Sequence, residues 1–308
     1  MSRTSSPAAA SLRAWLEGHR DRVDRELRAA LPDRQEIGGR VLDAMAYALL
    51  SPGKRIRAAL LLGVGEMYRV AGGRFIPAAC AVEMVHAASL VLDDLPCMDD
   101  ASTRRGRPAC HVAYGEAIAI LAAVGLLNQA YAILAGEGAT DITRDRLRTL
   151  VARRLARAIG PGGVIGGQTA DLDAADRRSG APEVDLTTLE FIHSHKTGSL
   201  FIACAELGGH LAGATPAEVD ALRAYAKNLG LAFQITDDLI DAVGEEGAAG
   251  KPVRSDVGVP TFVLLCGVAG ARALAADLVQ TAVGSLAMFG RRAARLEQLA
   301  RYVATRES

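Results

Sequence analysis

An acidic stretch followed by two arginines contains the residues best suited to chemistry. Four carboxylates fall within eight residues and the arginines follow shortly after: Asp93, Asp94, Asp99, Asp100, Arg104 and Arg105. Like charges this close destabilise a helix, so the cluster predicts a cation among the carboxylates. Mg²⁺ is typically held by one or two carboxylates, waters and phosphate oxygens, and guanidinium groups bind phosphate bidentately. The stretch therefore predicts a magnesium-assisted phosphate site.

A second acidic cluster lies in an apolar, helix-periodic stretch and consists of Asp237, Asp238 and Asp241. Asp237 and Asp241 are four residues apart and share one helix face, with Asp238 about 100° around the helix. Such a face, embedded in apolar sequence, meets either water or a metal-filled cavity. A solvated acidic helix end would explain one cluster alone, but the two clusters together favour the cavity.

The composition excludes several classes of protein. The chain has 308 residues, 50% of them hydrophobic and 4% aromatic, which favours an Ala/Leu-rich helical core over a β-sandwich. Its formal net charge is zero, so nothing favours nucleic acid or an anionic membrane surface as a partner. The five cysteines show no metal-ligand spacing, which predicts reduced thiols in a cytoplasmic protein.

Helical periodicity runs through most of the chain and predicts an all-α fold. We expect one domain over residues 1–308, with residues 1–8 as a disordered tail. A continuous helix is predicted over residues 189–211 and a loop over residues 107–115. The apolar run 117–136 contains Asn128 and Gln129, and it predicts a fully buried helix and no stable membrane insertion.

Two Asp-rich helices in an all-helical chain resemble the trans-isoprenyl diphosphate synthases. The first stretch matches their DDxxxxD motif with its RRG tail, and the second matches their DDxxD motif. The sequence around Asp93 is most similar to bacterial geranylgeranyl diphosphate synthases. The resemblance covers residues 52–262 and implies the isoprenoid synthase fold, a single large helical bundle around a central cavity. It also implies prenyl transfer, in which isopentenyl diphosphate attacks the carbocation formed from an allylic diphosphate.

The resemblance assigns roles to the acidic motifs and their neighbours. Four carboxylates are expected to bind Mg²⁺, with three ions in each active site: Asp93, Asp99, Asp237 and Asp241. Asp94 and Asp238 are expected to support these ligands. Three cations are expected to bind the allylic diphosphate: Arg104, Lys196 and Lys251. Thr197 and Gln234 are expected to supply dipoles near the carbocation.

Isopentenyl diphosphate is expected at a second group of side chains, which resembles the family's GKRxRP element and its partners: Lys54, Arg55, Arg57, His86 and Arg105. Cations at a helix start oppose the macrodipole, so they also suggest an anion held there. His86 lies seven residues, about two turns, before Asp93 and points the same way. Gln168 and Asp171 match the family's GQxxDL helix, which lines the catalytic chamber.

Two positions after the second motif depart from the family pattern. Arg254 stands where glycine is usual, and Val259 stands where a lysine is usual. Arg254 could supply the positive charge that Val259 lacks. A smaller departure is Ala58, which replaces the usual proline of the GKRxRP element.

Product length is expected to follow the depth of the cavity. Ala88 and Ser89 precede Asp93 by five and four residues, and both are small where an aromatic ring would form an early floor. We therefore expect the twenty-carbon product, geranylgeranyl diphosphate. The resemblance also implies a homodimeric enzyme. A fifteen-carbon farnesyl diphosphate synthase, a class I terpene cyclase and a non-catalytic partner subunit remain alternatives.

Overall fold

Helices make up nearly all of the structure, a computed structural model that describes residues 7–33, 38–136, 142–175, 184–247 and 261–306. The first helices are α1 (Pro7–Ala30), α2 (Gly39–Leu49), α3 (Ile56–Met67), α4 (Ile76–Asp93), α5 (Cys110–Tyr114) and α6 (Glu116–Ala135). The later helices are α7 (Ile142–Ile159), α8 (Val164–Ala175), α9 (Leu186–Lys196), α10 (Gly198–Ala212), α11 (Pro216–Gly247), α12 (Phe262–Ser285) and α13 (Ala294–Thr305). A short antiparallel hairpin pairs β1 (Thr103–Arg104) with β2 (Arg107–Pro108). The all-α prediction is confirmed.

The chain divides into two compact units. The first comprises Met1–Arg154 with His210–Ala212, and the second comprises Leu155–Gly209 with Gly213–Ser308. The sequence predicts one domain over residues 1–308, and the assembly of the two units into it stays a prediction. Helix α1 begins at Pro7, so the last two residues of the predicted tail are helical, while residues 1–6 lie outside the described part.

Helix α4 is the central helix of the first unit. It packs against α1, α2, α3 and α6. Its polar residue Glu83 is buried together with the apolar residues around it, so the helix is enclosed on nearly all sides along most of its length. Because α4 is held by four neighbours, its C-terminal residue Asp93 has a well-defined position.

A buried ion-pair network holds the start of α3. Arg55 is 5% exposed. Its guanidinium donates hydrogen bonds to Asp24 Oδ1 at 2.7 Å, Glu83 Oε2 at 3.3 Å and the Leu49 carbonyl oxygen at 2.7 Å. Glu83 also accepts a hydrogen bond from the Ala58 N–H at 3.1 Å, in the first turn of α3. A helix N-terminus favours an anion, and one anion at this N-terminus is the protein's own Glu83.

Helix α11 organises the second unit and packs against α9, α12 and α13. Leu231, Ile235 and Leu239 of α11 belong to one core cluster with Phe262 of α12 and Leu189 of α9. These apolar residues alternate with the polar positions of the second acidic motif. The burial of one side of α11 therefore fixes the direction in which the carboxylates on its other side point.

The predicted continuous helix over residues 189–211 is wrong. Helix α9 ends at Lys196 and α10 begins at Gly198, with Thr197 between them. Glycine and a β-branched residue are weak helix formers. A Cβ on Gly230 of α11 would lie 3.0 Å from Gly198 Cα, so the two helices approach closely at the break. The predicted loop over residues 107–115 is also wrong, because it contains β2 and α5.

Helix α6 is not fully buried, contrary to the prediction for residues 117–136. Ile120, Leu121 and Val124 are 43%, 53% and 55% exposed and lie on one helix face. By length and composition alone, three helical segments of the described chain are apolar enough to cross a membrane: Gly72–Asp93, Glu116–Ala135 and Phe262–Ser285. The sequence did not predict the exposed face because the residues of α6 itself are apolar on every side of the helix.

The Arg55 network predicts a large stability effect. Replacing Arg55 by alanine leaves Glu83 buried without its cation, and breaking a buried pair in this way typically costs about 3–5 kcal/mol. In urea unfolding, Arg55→Ala should lower the free energy of unfolding by this amount. Arg57 is two residues away and less buried, so Arg57→Ala should lower it by about 1 kcal/mol or less. Equal losses for the two variants would show that the network does not hold α3.

Candidate active site

The first acidic motif begins where α4 ends. Asp93 is the last residue of α4, and Asp94 follows as its C-cap. The chain then turns back, and the Asp99 N–H donates a hydrogen bond to the Asp93 carbonyl oxygen at 2.9 Å. Asp93 is partly buried and Asp99 is exposed. The turn therefore keeps Asp99 next to the end of α4, although five residues separate it from Asp93.

The Asp94 side chain points into the protein interior and binds Arg104. Its side chain is buried, at 2% exposure. It accepts a hydrogen bond from Arg104 Nε at 2.9 Å and a second one from Arg104 Nη2. Burial opposes the charge of Arg104, but the bond to Asp94 and the charges of Asp93 and Asp99 raise the pKa of its guanidinium. Asp94 thus places a permanent cation from β1 beside the other two carboxylates.

Four of the five predicted isopentenyl diphosphate residues form a cationic cluster in the first unit: Arg55, Arg57, His86 and Arg105. Arg57 Nη1 lies 3.3 Å from His86 Nε2. Arg105 adopts a left-handed backbone conformation, with φ of 54°. Its guanidinium lies beside Gly53, where a Cβ would be 2.7 Å from Nη1. Lys54 is exposed, and Arg55 is buried in the network described above.

His86 is held in its neutral form. Burial, followed by the positive charges of four arginines, lowers its pKa well below the ordinary value: Arg57, Arg105, Arg55 and Arg104. A neutral imidazole can donate one hydrogen bond and accept another. His86, Arg104, Arg105 and Asp94 line a cavity of about 30 Å³, which is room for about one water molecule. A diphosphate would therefore meet the outer side of this cluster.

The second motif splits its carboxylates between two directions. Asp237 is partly buried and Asp241 is exposed. Asp238 is buried, accepting hydrogen bonds from the Phe262 N–H at 3.0 Å and Gln234 Nε2 at 3.1 Å. Burial, together with the negative charges of Asp237 and Asp241, raises the pKa of Asp238 to about 6, although these hydrogen bonds lower it. Asp238 thus anchors the start of α12, while Asp237 and Asp241 face elsewhere.

A chain of hydrogen bonds links three helices of the second unit. Thr197 Oγ1 donates to Gln234 Oε1 at 3.1 Å, and Gln234 in turn bonds Asp238. Asp238 accepts the first N–H of α12 from Phe262. The break between α9 and α10 is therefore tied through α11 to α12, and the two predicted dipoles, Thr197 and Gln234, are in direct contact.

Lys196 is the last residue of α9, and its ammonium lies 2.7 Å from Asp171 Oδ2. A Cβ on Gly167 of α8 would lie 2.1 Å from the Lys196 backbone nitrogen, so only glycine allows α8 and α9 to approach this closely. The Gln168 Nε2 atom of α8 is buried, with no partner among the described residues. The predicted GQxxDL helix is thus held directly against Lys196.

The remaining predicted residues have different outcomes. Lys251, Arg254 and Val259 lie outside the described residues. Ala88 is fully buried in α4, and Ser89 Oγ donates to the His86 carbonyl oxygen at 2.9 Å. A cavity of about 580 Å³ lies at the other end of α4 and is lined mainly by apolar side chains, among them Pro77, Ala78, Ile133, Leu147 and Val151.

The sequence pattern does not identify two residues that contact predicted site residues, Glu83 at Arg55 and Arg306 at Asp237. Glu83 is a polar residue in an otherwise apolar helix, a pattern that itself indicates a buried partner. Arg306, near the end of the chain, donates a hydrogen bond to Asp237 Oδ1. No local pattern marks Arg306, because the contact joins residues 69 positions apart.

The donor chemistry fits Mg²⁺. Carboxylate oxygens are the hard ligands that Mg²⁺ prefers, and the motifs offer one pair in each unit: Asp93 with Asp99, and Asp237 with Asp241. Among the described residues, no group of three or more His, Cys, Asp or Glu side chains is placed to hold a metal ion. Mg²⁺ usually keeps several waters and binds one or two carboxylates plus substrate phosphates, so such a cage is not required.

Comparison with known proteins agrees with this geometry. The family model described as polyprenyl synthetase matches residues 39–285. The chain is 41% identical over 269 residues to a chloroplastic geranylgeranyl pyrophosphate synthase of Capsicum annuum, covering 86% of this chain and 71% of the relative. It is 40% identical over 272 residues to the farnesyl diphosphate synthase of Escherichia coli, covering 86% of this chain and 89% of the relative.

A solved structure of an FPP/GFPP synthase from Zymomonas mobilis matches with a TM-score of 0.84 and 35% identity, covering 96% of this chain and 99% of that one. The chain therefore belongs to the trans-isoprenyl diphosphate synthase (polyprenyl synthetase) family. It is a trans-prenyltransferase.

The raised pKa of Asp238 predicts a pH-dependent stability. Its value of about 6 in the folded protein exceeds the ordinary value of about 4, so the stabilisation from its protonated form is lost as pH rises from 4 to 6. Between these pH values, the free energy of unfolding of Asp238→Asn should rise relative to wild type by up to about 3 kcal/mol.

The measurement is urea unfolding across this pH range without added metal. Asp220→Asn is the control, because Asp220 lies on the same helix and its side chain is 69% exposed. A constant difference between Asp238→Asn and wild type at every pH would contradict the assignment.

Proposed function

We propose that the protein condenses isopentenyl diphosphate with allylic diphosphates and releases mainly geranylgeranyl diphosphate. The observation that carries this proposal is the presence of two distinct polar groups around the end of α4. One is the carboxylate pair Asp93 and Asp99, and the other is the cationic cluster around His86. A class I terpene cyclase needs only the first, because it ionises one substrate and binds no second diphosphate.

The carboxylates would hold the metal that assists ionisation. Asp93, Asp99, Asp237 and Asp241 are the proposed Mg²⁺ ligands, with three ions in each active site. Bound Mg²⁺ neutralises charge that develops on the departing diphosphate. Arg104 and Lys196 add positive charge, and their carboxylate partners Asp94 and Asp171 orient them before substrate arrives. Preorganised charges of this kind lower the barrier because they need no rearrangement during the reaction.

The cationic cluster would hold isopentenyl diphosphate. Lys54, Arg57 and Arg105 would contact the diphosphate, and neutral His86 would donate a hydrogen bond from its ring. Arg55 fits a different role, because its guanidinium is occupied by Asp24 and Glu83 and supports the turn that carries Lys54 and Arg57. Apolar walls would exclude water, which otherwise traps the carbocation.

Product length would be set along α4. The helix places Ala78, at the apolar cavity, 15 residues before Asp93, a distance of about 22 Å. The extended tail of a twenty-carbon prenyl chain is of similar length. Ala88 lies between them and is fully buried, so the proposal of a twenty-carbon product requires the tail to pass beside this small side chain when it binds. Both products occur in the names of the relatives.

The exposed apolar face of α6 supports the homodimer. Ile120, Leu121 and Val124 form a stripe that a second copy of the chain would cover. Light scattering measures the molar mass of the purified protein in solution. A mass equal to that of a single chain would contradict the homodimer. Cytoplasmic location and the absence of stable membrane insertion remain part of the proposal.

Product analysis tests the proposed function. Purified protein with Mg²⁺, isopentenyl diphosphate and dimethylallyl, geranyl or farnesyl diphosphate should yield mainly geranylgeranyl diphosphate by mass spectrometry. Asp93→Asn should lower turnover by orders of magnitude while its circular dichroism spectrum is retained. Diphosphate release without isopentenyl diphosphate would favour the cyclase, and no turnover by the purified chain would favour a non-catalytic partner subunit.

Ala88→Tyr tests the length assignment. Overpacking a core typically costs about 1–3 kcal/mol, whereas a ring that enters an open tunnel costs little. We expect a folded, active variant whose main product shifts from twenty to fifteen carbons, since no diphosphate ligand is altered. Ala88→Val, a smaller change, should keep the twenty-carbon product. A well-folded Ala88→Tyr protein that still makes mainly the twenty-carbon product would show that Ala88 does not line the path of the tail.

A further inference from the structure

Arg306 contacts the second acidic motif from the C-terminal end of the chain. It follows α13 as the C-cap residue, and its side chain is 7% exposed. Nη2 donates hydrogen bonds to Asp237 Oδ1 at 2.5 Å and to the Phe233 carbonyl oxygen at 3.0 Å. The guanidinium also lies over the Phe233 ring, 3.8 Å from its centroid. Three interactions therefore fix this cation against one face of α11.

The contact involves the carboxylate that the proposed function assigns to the metal. A carboxylate oxygen that accepts a short, charge-assisted hydrogen bond has its negative charge already matched. A metal ion can still bind another lone pair of this carboxylate, but the nearby guanidinium charge repels a second cation and weakens its binding. We propose that Arg306 is a positioning residue that competes with Mg²⁺ for Asp237, so that the metal binds more weakly while the guanidinium contacts the carboxylate and more tightly once it moves away.

Two features make this contact suitable for exchange. Arg306 Nε is buried and has no hydrogen-bond partner among the described residues, and such an unsatisfied donor lowers the stability of the arrangement. The Arg306 backbone is extended, with φ of −69° and ψ of 145°, and lies beyond the last turn of α13. The side chain can therefore move away without unwinding the helix, and the Phe233 ring offers a contact for the guanidinium that does not depend on Asp237.

The chain contains a matched control on the same helix. Arg301 is half exposed, and its Nη2 atom lies 3.6 Å from Oε2 of Glu297, one turn away on α13. Its pair is an ordinary surface ion pair, which contributes little to stability. Arg301→Gln therefore removes the same charge from α13 without touching the acidic motif.

The inference rests on the proposed function, since it takes Asp237 as a metal ligand. The experiment follows the thermal unfolding of the full-length protein during a MgCl₂ titration at fixed inorganic diphosphate. In Arg306→Gln, the Mg²⁺ concentration at half of the maximal stabilisation should fall by roughly three- to tenfold, as expected for the loss of one competing charge-assisted hydrogen bond. Arg306→Lys, which lacks the planar fork, should show a smaller fall. Arg301→Gln should match wild type.

A second readout separates competition from a structural role. The Mg²⁺ concentration that gives half-maximal turnover should fall in Arg306→Gln by the same factor, with kcat unchanged within twofold. An unchanged or higher Mg²⁺ midpoint in Arg306→Gln and Arg306→Lys would overturn the inference. If Arg306→Gln does not fold, Arg306→Lys alone decides it. Failure of the proposed function would look different, because wild type would then form no product.

Discussion

The structure depends on the compensation of the carboxylates that lie close together within each acidic motif. Each unit meets this constraint with its own cations. In the first unit Arg104 binds Asp94, and in the second Arg306 binds Asp237. Like charges within a few residues are unfavourable on a helix, so these pairs allow the motifs to exist in a folded protein before any metal or substrate binds.

Adjacent aspartates of each motif have separate tasks. Asp94 and Asp238 are buried and hold other parts of the protein, Arg104 and the start of α12 respectively. Asp93, Asp237 and Asp241 are more accessible. The doubled aspartate therefore combines an internal anchor with a candidate ligand, and a helix achieves this because consecutive residues point about 100° apart. The same logic applies to Arg55 and Arg57, of which the first supports α3 and the second contacts His86.

The sequence predicted the all-α class and both acidic motifs, because helical periodicity and charge spacing are local properties. It missed the helix break at Thr197, since the close approach of Gly198 and Gly230 joins distant segments. It also missed the exposed face of α6, because a helix that is apolar on every side does not indicate which side faces solvent. Arg306 and the Arg55–Glu83 pair escaped prediction for the same reason: their partners lie far away in sequence.

We propose that the carboxylates bind Mg²⁺ together with a diphosphate and not in a preformed cage. Thermal unfolding of the wild-type protein tests it with MgCl₂ alone, with inorganic diphosphate alone, and with both. We expect a small shift in unfolding temperature for each alone and a large rise for the combination, because diphosphate oxygens complete the coordination. A full shift with MgCl₂ alone, or no shift with both, would contradict it.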